Sequence, residues 1–162
     1  MNYEVVFDVD RAGFAAWPFV AFGVAFVIVG VLLVRNPHRL GRRAPPGVRV
    51  AFSYAFLIFS VLWTLLTFNA TYGDYRRLRS DLDAGRCAVV EGAVTGFVPA
   101  ARAPTRVQYE SFAVDNQRFS YSDYVVTAGF HQTSMRGGPL RAGLRVRIHH
   151  RRGEIARLEI AD

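Results

Sequence analysis

RNPHRLGRRAPPGVR, residues 35–49, holds Arg35, Arg39, Arg42, Arg43 and Arg49 and no acid. On either side lies a long stretch without a charged side chain. Residues 12–34 form one, 23 residues with no Asp, Glu, Lys, Arg or His, and residues 50–73 form the other, 24 residues. A hydrocarbon layer about 30 Å thick is crossed by roughly 20 helical residues. Both runs meet that length, and neither carries the polar stripe that a core helix of a soluble protein shows. The basic segment therefore reads as the loop of a transmembrane helical hairpin, with helices over 12–34 and 50–72. The first run is too long and its flank too acidic (Glu4, Asp8, Asp10) for a cleaved signal peptide.

The net charge of +7 divides by region: −2 over residues 1–11, +5 over 35–49 and +4 over 74–162. Much of the basic balance is thus a topology signal and not nucleic-acid affinity. Short Arg-rich loops stay cytoplasmic, which places both termini on the outer side. Every basic residue other than histidine is Arg, with no Lys anywhere, a bias expected of a GC-rich bacterial genome. These features give a bacterial inner-membrane protein whose first partner is the lipid bilayer.

Within the hairpin, Ala16, Gly23 and Gly30 recur every seven residues, and Ser53, Ser60 and Thr67 do the same on the second helix. Small side chains let helix backbones approach in lipid, and hydroxyls can bond across the interface. The two stripes are expected to face each other in an antiparallel pair; a homodimer or a larger partner could use them instead.

Outward from the hairpin, residues 3–9, YEVVFDV, alternate weakly, so residues 1–11 are expected outside the membrane as a short strand that docks on the barrel or the stalk, or else as a disordered tail. Residues 73–85 are expected to be an amphipathic helix, within a helical pattern over 71–84 that puts Tyr72, Tyr75, Leu78 and Leu82 on one side, with Gly85 as its stop. It either stands as a stalk or lies on the headgroups. From residue 86 the pattern turns to β. Residues 88–98 form a strand bent at Gly92 and Gly96. Residues 110–114 and 118–124 flank a turn at Asp115-Asn116-Gln117, and 144–149 and 156–160 flank a turn at Arg151-Arg152-Gly153. About five strands in so few residues fit a small closed or partly open barrel, with 125–143 left as a long loop. The fold class is membrane α+β, a helical hairpin followed by a small OB- or SH3-like all-β domain over 86–162.

The strands GAVTGFVP (92–99), ESFAVDNQRFSYSDY (110–124) and GLRVRIHHRRGEIARLEI (143–160), set behind two membrane helices, resemble the membrane-anchored OB-domain proteins of the nodulation-efficiency family and several bacterial families of unknown function. That resemblance implies a scaffold or partner-binding role and carries over no catalytic residue.

No HExxH, CxxC or acidic metal loop occurs, and His149 and His150 point to opposite faces of one strand; no metal or cofactor is expected. Ser122-Asp123, His131 and Ser134 lie near one another in sequence, but nothing like GxSxG activates a serine, so no enzyme activity is expected. Cys87, the single cysteine, reads as a small buried side chain. Two binding candidates remain. Tyr121, Tyr124 and Phe130 belong to a ring-rich segment that serves either as core or as a recognition surface. Arg145 and Arg147 share a strand face with His149, and Arg151 and Arg152 sit in the next turn; this is either a solvated face or a patch for anionic headgroups or an acidic partner. The expected function is a protein-binding or scaffold module acting on another membrane or envelope protein or on its own copies. The alternative is a sensor of a small ligand, glycan or lipid headgroup. Nucleic acid is not an expected partner.

Overall fold

The computed structural model describes residues 2–40, 45–100 and 109–161. Arg42 and Arg43 lie outside the described residues, as does the side chain of Arg39. The chain forms two compact units, residues 16–73 and residues 1–15 with 74–162.

The first unit is the helical hairpin. Helix α2 spans Trp17–Arg35 and α3 starts at Pro46, running unbroken to Asp83; a short helix α1, Val9–Ala12, precedes them. Both α2 and α3 are long and apolar enough to cross a membrane. Their outward side chains are apolar and bare: Leu66 is 70% and Trp17 65% exposed. Helix contacts run antiparallel. Phe19 meets Trp63 and Phe26 meets Phe56, with ring centroids 5.6 and 6.1 Å apart. Gly23 and Gly30 are buried; a Cβ on Gly30 would lie 3.0 Å from Leu57 Cα, and one on Gly23 2.6 Å from Thr64 Oγ1. Ser53 and Ser60 are buried too, while Ala16 and Thr67 are half-buried. The sequence allowed hydroxyl bonds across the helices; the bonds seen for Ser53, Ser60 and Thr64 stay within α3. Ser53 donates to the Arg49 carbonyl (2.9 Å), Ser60 to Phe56 (2.7 Å) and Thr64 to Ser60 (2.7 Å), all one turn back. That carbonyl is always within reach of a helical hydroxyl, whereas glycine offers no side-chain acceptor.

The second unit is one six-stranded antiparallel sheet, ordered β1-β6-β5-β2-β3-β4. The strands are β1 Tyr3–Asp8, β2 Ala88–Val98, β3 Glu110–Val114, β4 Gln117–Tyr121, β5 Arg145–Arg151 and β6 Glu154–Ala161. The first strand comes from the N-terminal segment, which pairs with β6 from Tyr3↔Ala161 to Asp8↔Arg157. β1 and β4 end the order, so the hydrogen-bonded ladder is an open sheet of six strands, where the sequence suggested about five in a closed or partly open barrel. The bend expected in β2 sits at Gly96, whose φ of +55° accompanies a register shift against β3. The β3–β4 turn is Asp115-Asn116, with Gln117 already in the strand. In the β5–β6 turn Arg152 and Gly153 both take positive φ, 50° and 87°, the pair a type I′ hairpin requires.

The inner face holds the core: Val94, Phe112, Val114, Phe119, Val146, Ile148 and Leu158, with Tyr121 and Phe130. A second, smaller core forms where Tyr75 and Leu78 of α3 pack on Val9 and Ala156, with Phe14 and Leu82 alongside. The amphipathic face of residues 74–83 is therefore covered by protein of its own unit. Tyr72, in the hairpin unit, is exposed and stacks on Phe68, 5.2 Å away. Past α3, Gly85 at φ +64° and the Arg86 N–H to Asp81 carbonyl bond (2.8 Å) close the helix end.

Candidate functional site

β4 and the loop after it build the site. The two-residue turn fixes the register Glu110↔Tyr121, Phe112↔Phe119 and Val114↔Gln117. Alternation then sends Phe119 and Tyr121 into the core and Arg118 and Ser120 outward. Glu110, fully buried, sits under the ladder end. Its Oε1 accepts a short bond from the Tyr121 hydroxyl; its Oε2 accepts from the Ser134 N–H (3.0 Å) and hydroxyl (2.5 Å). Burial, with the bond to Glu110 added, pushes the Tyr121 hydroxyl far above its ordinary range. Asp123 likewise accepts from the Thr133 N–H (3.0 Å) and hydroxyl (2.5 Å). Two buried carboxylates thus hold residues 133–134 against the strand pair.

The preceding part of the loop runs beside the start of β6, beyond the point where β1 stops. Phe130 N–H donates to the Ile155 carbonyl (2.9 Å), and Thr127 Oγ1 and Gly129 N–H (3.1 Å) donate to Glu154 Oε1. Residue 129 has to be glycine, since a Cβ there would lie 2.8 Å from the Ile155 carbonyl oxygen. Phe130 bridges the sheet's two edges, its ring 5.5 Å from Phe7 of β1 and 5.2 Å from Tyr121 of β4.

Between β4, this loop and the β5–β6 turn lies a cleft of about 400 Å³. Tyr121, Phe130 and Ile155 are its buried apolar lining, and Arg118, Ser120, Arg152 and Glu154 supply the polar groups. Neither Arg118 nor Arg152 has an acidic partner among the described residues. A smaller cleft of about 330 Å³ opens between Phe7, Asp123, His131 and Arg136.

The residues singled out from sequence separate into different roles. Tyr121 and Phe130 are core residues that also line the cleft. Tyr124 is 66% exposed, with the Arg136 guanidinium 5.7 Å over its ring. The arginines of the basic group differ in their partners. Arg147 donates to Glu91 (2.9 Å) and Glu159 (3.5 Å), its cross-strand neighbours, and lies 4.2 Å over the Tyr3 ring. The bonds from Tyr3 and Arg147 hold the Glu91 carboxyl below its ordinary range. Arg151 pairs with buried Asp81 of α3, which also takes Arg86 at 2.8 Å. Arg145 is exposed on the same face. Only Arg152 of the group reaches the cleft. Arg118 was not singled out at all.

No catalytic set assembles from Ser122, Asp123, His131 and Ser134. Asp123 is taken by Thr133, Ser134 by Glu110, and His131 Nδ1 lies 3.0 Å from the Gly129 carbonyl. Burial raises the Cys87 thiol and lowers both His149 and His150. Among the described residues no group of three or more His, Cys, Asp or Glu could hold a metal ion. No family model, curated protein or solved structure matches this chain.

Proposed function

We propose that this protein is a bacterial inner-membrane anchor for an extracytoplasmic binding module, with no catalytic role of its own. The observation that carries the reading is the cleft beside β4, an aromatic-lined hollow with two arginines that have no acidic partner among the described residues. In this reading the cleft is the place a partner takes. The bare apolar sides of α2 and α3 support lipid as the hairpin's solvent, and the Arg-rich segment supports a cytoplasmic loop with both termini outside. The reading takes up the scaffold role that the resemblance to the nodulation-efficiency family implies. Reporters fused after Val48 and after Asp162 test the placement: activity of the outside reporter only at the second site is expected, and a cytoplasmic C-terminus refutes it. Cross-linking in intact membranes, followed by gentle solubilisation, tests the module. A protein that stays monomeric and without a companion contradicts it.

The same cleft favours one second reading. Its volume suits a small anionic ligand, and the module would then act as a sensor or transport accessory.

A further inference from the structure

We propose that the free edge of β4 takes an extended acidic peptide segment of another protein as an added strand, its carboxylates held by Arg118 and Arg152. The inference rests on the binding-module reading and names its partner's chemistry.

Three observations converge. The first is backbone geometry. In an antiparallel ladder, residues alternate between exchanging hydrogen bonds with their partner and directing them outward. Counting from the closing pair Val114↔Gln117, the outward residues of β4 are Arg118 and Ser120. The Arg118 carbonyl accepts from the Gln117 side chain (3.1 Å), and the Ser122 carbonyl from the Val125 N–H (3.3 Å). The Arg118 N–H and both backbone groups of Ser120 have no hydrogen bond among the described residues. Edges in this state accept a further strand.

The second is room: the cleft lies along this edge, with Arg118, Ser120 and Ser122 in its lining. The third is charge. Glu154, the lining's acid, is already engaged by Thr127 and Gly129, so the cleft offers two arginines against one occupied carboxylate. An outward arginine on an edge strand also serves to discourage self-pairing, and that alone would explain Arg118. It does not explain Arg152, which arrives from the β5–β6 turn at a positive φ that disfavours arginine. The same charges argue against a second copy as occupant, because pairing β4 with β4 would set arginine against arginine in one short strip.

The test uses the full chain in lipid nanodiscs and fluorescence anisotropy. The probe is a fluorescein-labelled peptide of alternating Glu and Val. Its controls are the same peptide with Lys for Glu and a version N-methylated on alternate residues. Only the acidic, unmethylated peptide is expected to bind, and amide exchange at Ser120 is expected to slow when it does. Arg118→Glu and Arg152→Asn should each weaken binding about tenfold or more, the scale of losing a close charge pair. Asparagine tolerates positive φ, so the second variant keeps its turn; unchanged exchange at Phe119 checks the fold of both. Binding of all three peptides alike, binding of none, or an acidic peptide that N-methylation does not affect and phosphate displaces, each overturns the proposal. If Arg118→Glu protein still cross-links to its envelope companion in membranes, strand addition is refuted while the binding-module reading stands.

Discussion

Removing the carboxylate of Glu110 probes the site's framework directly. Three donors converge on it, the Tyr121 hydroxyl and the Ser134 N–H and hydroxyl, and no cation pairs with it among the described residues. A hydrogen bond to a charged group contributes about 1.5–3 kcal/mol, and a buried donor left unpaired costs about 1–3 kcal/mol. Glu110→Gln keeps the shape. Its amide oxygen can stay with Ser134, and its NH₂ can donate to the Tyr121 oxygen once that hydroxyl turns to accept. The expected cost is the lost charge assistance, about 1–2 kcal/mol. Glu110→Ala strands all three donors and opens a cavity, for about 3–5 kcal/mol in total. The gap of about 2–3 kcal/mol corresponds to roughly a hundredfold in exchange protection. Amide hydrogen exchange on the full chain reads it at Phe112 and Phe119 for the sheet and at Ser134 for the loop. Equal protection in the two variants would refute the picture of a dry carboxylate satisfied only by these donors.

Further outcomes follow from the same contacts. Gly30→Leu should lower the hairpin's melting midpoint in detergent, followed by Trp63 emission, because its side chain meets Leu57 backbone at 3.0 Å; overpacking of this kind costs about 1–3 kcal/mol, and an unchanged midpoint refutes the close approach. Tyr121 has a raised pKa in the folded state, so its contribution is intact below its ordinary value of 10.0 and is lost as pH rises above it. His149 and His150 are depressed by burial, so theirs is intact above 6.5 and lost as pH falls. Denaturation of the sheet across pH should show both limbs, and Tyr121→Phe should flatten the alkaline one. Asp81→Ala removes a 3% exposed carboxylate shared by Arg86 and Arg151; a cost of about 2–4 kcal/mol is expected, read as faster exchange in residues 75–83.

The two apolar helices were legible because absence of charge over a membrane's width is a signal that needs no tertiary context. The same holds for the alternation of residues 145–160 and for Asp115-Asn116 and Arg152-Gly153, whose local chemistry suits tight turns. What escaped was whatever depends on a distant partner. Residues 74–83 are amphipathic whether they face headgroups or protein; the deciding neighbour, Val9, lies at the other end of the chain. Arg147 and Arg151 read as a solvated face or a patch because Glu91, Glu159 and Asp81, which pair with them, come from other elements. Arg118 showed nothing, since an arginine on the polar side of a strand is ordinary. Only the register puts it at an open edge, and only the curl of the sheet brings Arg152 near the same cleft. Glu110 could have been noticed as an acid within an otherwise apolar alternation, Phe112, Val114 and Phe119, but its donors at 121 and 134 could not.

The N-terminal strand changes where the β unit begins. The sequence places the β domain at 86–162 and expects the N-terminal strand to dock on it or on the stalk; β1, α1 and residues 74–83 belong to the same unit, and the hairpin is inserted between them. A fragment of residues 86–162 would lose the β1 partner of β6 along 157–161, the Asp8 carboxylate that takes Arg157 at 2.6 Å, and the Phe7 ring against Phe130. It would also lose Val9, Tyr75 and Leu78, three nearly fully buried side chains. At about 1.5–3 kcal/mol each, those three alone remove about 5–9 kcal/mol, as much as the whole stability of many small domains, about 5–15 kcal/mol. The fragment should therefore show little exchange protection at Leu158 and a tendency to aggregate through the bared edge of β6. Joining residues 1–13 to 74–162 through a flexible linker restores every contact named and should restore protection. Full protection at Leu158 in the 86–162 fragment would refute the view that both segments flanking the hairpin are structural parts of the sheet unit.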